Sequence, residues 1–252
     1  MRWKLAGLVA ILVFLASGAA VWVEMREGEP SEREIRIEEK VATALPAPQE
    51  MRPADFGQSV ENEAPFTSQA PLGQWGDPRQ QDACEEAAAL MAVKWARDEE
   101  IASPEAAREE ILAISKFQTE KYGEYRDTSA ADTVERIFKD YYGFDLVEYR
   151  AEATIESIVA ELQKGDLVIT PMNGQALLNR HYTGAGPERH MILITGYDAA
   201  TKEFITNDAG TVVGKNYRYN VDLFFAAIRD YPTGNYVPIE GEIRDMIVVK
   251  RV

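Results

Sequence analysis

Cys84 is the sole cysteine in 252 residues, and it opens the helical pattern of "DPRQQDACEEAAALMAVKWA" (77–96). A cysteine nucleophile needs a lowered pKa, a base, and a group that orients the base. The first backbone N–H groups of a helix supply part of the first need, because their partial positive charge favours thiolate. Glu85 and Glu86 oppose it, but side chains at i+1 and i+2 on a helix are expected to point away from the sulfur. One cysteine rules out an internal disulfide. With two histidines besides, a Cys/His zinc site is poorly supplied. No EF-hand spacing occurs, so neither metal nor cofactor is expected.

The base must be His181 or His190. His181 sits in the Gly-rich loop "LLNRHYTGAGPERH", whereas His190 starts the strand-like "HMILITGYD", with a fixed backbone and an open side. His190 is the better candidate. The runs 190–197 and 203–208 flank "DAATK", and a hairpin there pairs residues whose numbers sum to 400. His190 then faces Gly210, and Asp208 is its diagonal neighbour on the same side, about 7–8 Å away. Ile192, Ile194, Phe204 and Thr206 share that face. Asn207 points the other way, and a slip of one residue exchanges the two, so Asp208 is the expected orienter and Asn207 the alternative. A nascent oxyanion needs uncharged donors: the backbone N–H of Cys84 is one, and an upstream glutamine (Gln69, Gln74, Gln80 or Gln81) is a natural second.

The elements that must hold these groups are helical first and extended later. "APFTSQ" (64–69) reads as a short strand, followed by a loop with two Gly and two Pro. Cys84, Ala88, Met91 and Trp95 form one apolar stripe, with Asp82 as the expected N-cap. Further helices are expected over 103–114, where Pro104 suits the first turn, and over 128–143, 154–165 and 221–231. Strands are expected over 166–172, 190–198, 203–208 and 243–251. This order predicts an α+β domain, its helical N-terminal part packed on a mostly antiparallel sheet. The loop 170–187 is expected to flank the cleft, with His181 and Tyr182 on one wall and Trp75 on the other.

Net charge is −15 and the sequence pI about 4.7, which argues against nonspecific nucleic-acid binding or attachment to an anionic lipid surface through basic patches. The apolar fraction of 46% is ordinary for a globular chain. Residues 1–23 are different. Arg2 and Lys4 precede an uncharged run over 5–23, nineteen residues against the roughly 20 that span a bilayer core. A signal anchor is expected, or a signal peptide cleaved near 16–20, so that the body lies outside the cytoplasm. Residues 24–63, rich in charge, Pro, Ala and Gln, read as an extended linker, and 64–252 as the folded domain.

Together, "PFTSQ", "ACEEAAALM", "RHMILITGYD" and "FITNDAG" resemble, in order along the chain, the papain-like cysteine peptidases of the double-glycine leader (bacteriocin-processing) branch. The similarity is closest to stand-alone, leader-peptidase-like domains of bacterial envelope proteins, and covers roughly 64–230. It implies Cys84 as nucleophile, His190 as base, Asp208 as orienter and Gln69 as oxyanion donor. Gln69 lies farther upstream of Cys84 than is usual in such domains. Glu85 stands where many relatives have Gly, and "DAG" replaces the commoner "DP". No G-x-x-x-x-G-K-[ST] occurs, so no nucleotide is expected as partner. The expected function is hydrolysis of an amide bond in a peptide or protein by an anchored or exported thiol enzyme. The alternatives are a catalytically silent peptide- or wall-binding domain of the same fold, and an acyl transferase.

Overall fold

The computed structural model describes residues 56–251, and everything below concerns them. Seven strands form one sheet: β1 (Val60–Glu61), β2 (Val147–Arg150), β3 (Leu167–Met172), β4 (His190–Asp198), β5 (Glu203–Asn207), β6 (Tyr217–Asn220) and β7 (Met246–Val249). Their order is β2-β7-β3-β4-β5-β6, with β1 pairing the far end of β4, and every pairing is antiparallel. The α+β class with a mostly antiparallel sheet is therefore as expected. β3, β4, β5 and β7 fall within the runs expected as strands.

Successive residues of a strand face opposite sides. Here both sides are apolar, so both must be covered. Leu167, Ile169, Met191, Leu193, Ile247 and Val249 enter one core. Val168, Met172, Ile192, Ile194, Met246 and Val248 enter the other. The first core is closed by α2 (Cys84–Ala96), α3 (Pro104–Tyr122) and a π-helical stretch, Thr133–Tyr141, that continues α4 (Ala130–Asp132). The second is closed by α5 (Ile155–Gln163) and α6 (Val221–Ala227). A short α1 (Pro78–Gln81) precedes α2.

Helix boundaries follow their caps. Ser103 accepts from the N–H of Ala106 at 3.2 Å, with Pro104 in the first turn, and α3 runs past the expected 114 until Gly123 takes a left-handed conformation. Thr154 and Ser157 form a reciprocal capping box on α5. α6 stops short of 231 because Ile228 turns extended and bridges to Met172. α2 departs most from expectation. Of its thirteen residues only Lys94 is not buried, so the stripe of Cys84, Ala88, Met91 and Trp95 is one side of a helix enclosed all round. Five alanines let neighbouring elements approach that closely. Asp82 does not cap α2: it ends α1, and Ala83 takes the cap position without a side-chain bond.

The stretch 64–69 is not a strand. Pro65 has no N–H to offer a ladder. The side chain of Asn207 instead donates to the carbonyls of Ala64 (3.4 Å) and Pro65 (3.1 Å), and the N–H of Gln69 to that of Ala209 (2.9 Å). The sheet also takes in part of the expected linker 24–63, since Val60 and Glu61 pair with Tyr197 and Gly196. Gly196 permits that approach, because a Cβ there would stand 2.5 Å from the carbonyl oxygen of Val60. The apolar run 5–23 lies outside the described residues, among which no helix is long and apolar enough to cross a membrane.

Candidate active site

A cleft of about 810 Å³ opens beside the start of α2 and the start of β4, and its lining includes Gln69, Trp75, Cys84, His181, Tyr182 and His190. The loop 170–187 contributes much of one wall, and Trp75, 36% exposed, stands in the lining too.

His190 is the first residue of β4 and 1% exposed. The hairpin register explains its partner. Leu193 pairs with Asn207 and Ile194 with Thr206, sums of 400 as expected, although a bulge between Ile194 and Gly196 shifts the turn end by one residue. Beyond the ladder Asp208 lies on the His190 side, and its Oδ1 is 2.8 Å from His190 Nε2. Asn207 points away, to Ala64, Pro65 and the N–H of Asn216. Gly210 leaves room for the imidazole, since a Cβ there would meet Cε1 at 2.9 Å.

Asp208 is fully buried and surrounded by donors. The N–H of Gly210 bonds to Oδ1 at 3.0 Å. Oδ2 accepts from Tyr219 (2.6 Å), Tyr182 (2.7 Å) and Asn179 (3.1 Å). Burial alone would raise this carboxyl, but His190, Tyr219 and Tyr182 outweigh it and hold it at about 2. The ring of Tyr182 also meets the imidazole edge-on, with centroids 5.6 Å apart. Sequence reasoning missed Asn179 and Tyr219 and expected of Tyr182 only a place in the wall. The one available signal was the alternation that puts Tyr219 of β6 on the same face as Phe204.

Cys84 is the first residue of α2 and 6% exposed. Its Sγ donates to Oε2 of Glu85 at 3.1 Å. The expectation that Glu85 points away is thus corrected: in a helix buried all round no side chain has open water to turn to, and Glu85 is itself 1% exposed. Its Oε1 accepts from the Tyr231 hydroxyl at 2.7 Å. Burial raises the thiol well above its usual value, and the carboxylate of Glu85 adds to the rise. Burial also pushes Glu85 up to about 7, against the hydrogen bonds from Tyr231 and Cys84.

The glutamines divide. Gln69 and Gln81 line the cleft; Gln74 and Gln80 do not. Nε2 of Gln69 donates to the carbonyls of Gln80 (3.1 Å) and Gln81 (2.5 Å), so its amide protons turn from the cleft towards α1. His181 stacks edge-on against Tyr217 and has no contact with Asp208.

One similar solved structure is a presumed C39-like peptidase from Bacillus anthracis, at 12% identity and TM-score 0.48, covering 77% of this chain and 99% of that one. Another is xylellain, a cysteine protease from Xylella fastidiosa, at 17% identity and TM-score 0.39, covering 78% and 87%. No curated protein matches the sequence. A thiol and an imidazole–carboxylate pair thus share one cleft on an α+β frame, the model of the peptidase C39-like family matches residues 61–238, and the chain belongs to that family.

Proposed function

We propose that this protein hydrolyses amide bonds in peptides or proteins through Cys84, His190 and Asp208. The observation that carries the reading is that Cys84, at the N-terminus of a buried helix, lines the same cleft as His190, whose far nitrogen is bonded to a buried, ionised Asp208. With Nε2 held by Asp208, Nδ1 is the nitrogen that serves the thiol. The Sγ proton passes to Nδ1 as sulfur attacks the carbonyl carbon. The imidazolium returns that proton to the leaving nitrogen, the C–N bond breaks, and a thioester remains on Cys84. Water then adds with His190 taking its proton, and the acid product leaves as the thiol re-forms.

The oxyanion is held by the backbone N–H of Cys84, one of the donors a helix start leaves free. Gln69 joins it only by turning its amide from the carbonyls of Gln80 and Gln81. Residues 5–23 hold the enzyme on the membrane with the domain outside the cytoplasm, or direct its export.

The test is turnover of a mixed peptide library by the full chain, read by mass spectrometry. Cys84→Ala and His190→Ala should each reduce cleavage at least about 1000-fold, the scale of losing a nucleophile or its base. Iodoacetamide should modify Cys84 in step with lost activity, and His190→Ala should slow that modification. Cleavage that survives in Cys84→Ala would overturn the assignment. Fractionation of cells, with external protease digestion of intact ones, tests the membrane placement; a protein found only in the cytoplasm would refute it.

A further inference from the structure

Glu85 is a buried acid that the mechanism above does not use, and it touches the reacting atom. We propose that Glu85 is a positioning residue that holds the resting Cys84 as a protonated thiol, and that Tyr231 keeps it there by bonding to Glu85 and to the strand that carries His190. The inference rests on the reading of Cys84 as nucleophile, but chemistry on the sulfur alone can test it.

The geometry is a chain of contacts from the sulfur to the strand that carries His190. Sγ of Cys84 donates to Oε2 of Glu85 at 3.1 Å, and the Tyr231 hydroxyl donates to Oε1 at 2.7 Å. The same hydroxyl lies 3.3 Å from the backbone carbonyl of His190. Cys84, Glu85 and Tyr231 are all buried. A carboxylate that accepts from the thiol stabilises S–H and opposes S⁻, because ionised sulfur would put two negative charges in contact away from water. The surrounding groups do not reverse this. Glu86 on the same helix is a buried acid held by Ser115 and Gln118, and Asp127 faces the pair from the loop between α3 and α4. Asp230 lies beside Tyr231. These three are acids, and Arg189, the arginine that lines the same cleft, is paired with Asp127 at 3.6 Å rather than with the sulfur. His190 must take the proton only once the thiol turns from Glu85 towards the imidazole.

The hold depends on Glu85 being ionised, so it strengthens as pH rises through about 7. This distinguishes it from a packing role, which would be indifferent to pH over that range. With one cysteine in the chain, alkylation reports on Cys84 alone.

The experiment is the second-order rate of iodoacetamide reaction from pH 6 to 9, with attachment checked by mass spectrometry, for wild type, Glu85→Gln and Tyr231→Phe. Glu85→Gln should react about as fast as wild type near pH 6 and about tenfold or more faster near pH 8.5, tenfold being one unit of thiol pKa. Tyr231→Phe should change the rate in the same direction by a smaller factor, and serves alone if Glu85→Gln does not fold. A Glu85→Gln rate that is lower at pH 8.5, or raised equally at both ends, overturns the inference, as does a slower Tyr231→Phe. Cleavage of the peptide library is scored separately. A chain that cleaves nothing yet shows this pH-dependent gain supports the hold on the thiol while losing the peptidase reading. Cys84-dependent cleavage without the gain removes this inference alone.

Discussion

Asp208 commits both of its oxygens, Oδ1 to the imidazole and Oδ2 to three donors from different parts of the chain. Asp208→Asn would remove the charge and replace one accepting oxygen with a donating amide in a pocket whose neighbours donate to Asp208. It should lower kcat/KM about 100-fold or more and reduce the melting temperature, read by peptide turnover and calorimetry. Tyr182→Phe removes one donor of three and should cost less than tenfold in the same assay. The sign with pH follows from the depressed carboxyl at about 2. Its stabilising share is fully present above the unfolded value near 3.9 and is lost as pH falls through about 2, so acid unfolding of Asp208→Asn should lack that component. The His190–Asp208 pair was legible because loop length and alternation fix a hairpin within one residue. Glu85 was not, because the i+1 argument assumes a helix with one face in water, and α2 has none.

At the scale of elements, β4 could be read from end to end because a long apolar strand under two helical layers announces itself as an unbroken hydrophobic run. The edge strands β2 and β6 could not: "VEYR" and "YRYN" alternate apolar or aromatic residues with polar ones over only four positions, too short a run to stand out from a loop. The bulge after Ile194 left no mark in composition either. Gly196 sets where β1 can lie. Gly196→Ala should force β1 away from β4, costing about 1–3 kcal/mol as other overpacked sites do. Limited proteolysis should then cut near residue 62 faster than in wild type. Unchanged cleavage would mean that β1 and β4 yield more readily than the 2.5 Å separation implies.

For the molecule as a whole, buried acids bias stability towards acid. Burial raises Glu85 and Asp230 each to about 7, Asp230 against the N–H groups of Tyr231 and Ala130. The folded state thus binds more protons than the unfolded chain between the ordinary carboxyl range and neutrality, and stability falls as pH rises through that window. The melting temperature should be higher near pH 5 than near pH 8, and Asp230→Asn should flatten the difference. A melting temperature that climbs over that interval would contradict the burial of these groups. The sheet also has a consequence for how damage spreads. Cys84 sits in the packing on one side, whereas Tyr219 and Tyr182, which brace Asp208, belong to the packing on the other. The two halves of the proposed chemistry therefore rest largely on different foundations: a lesion under α2 should dull the sulfur more than it disturbs the imidazole, and one around Phe224 should loosen the imidazole more than the sulfur.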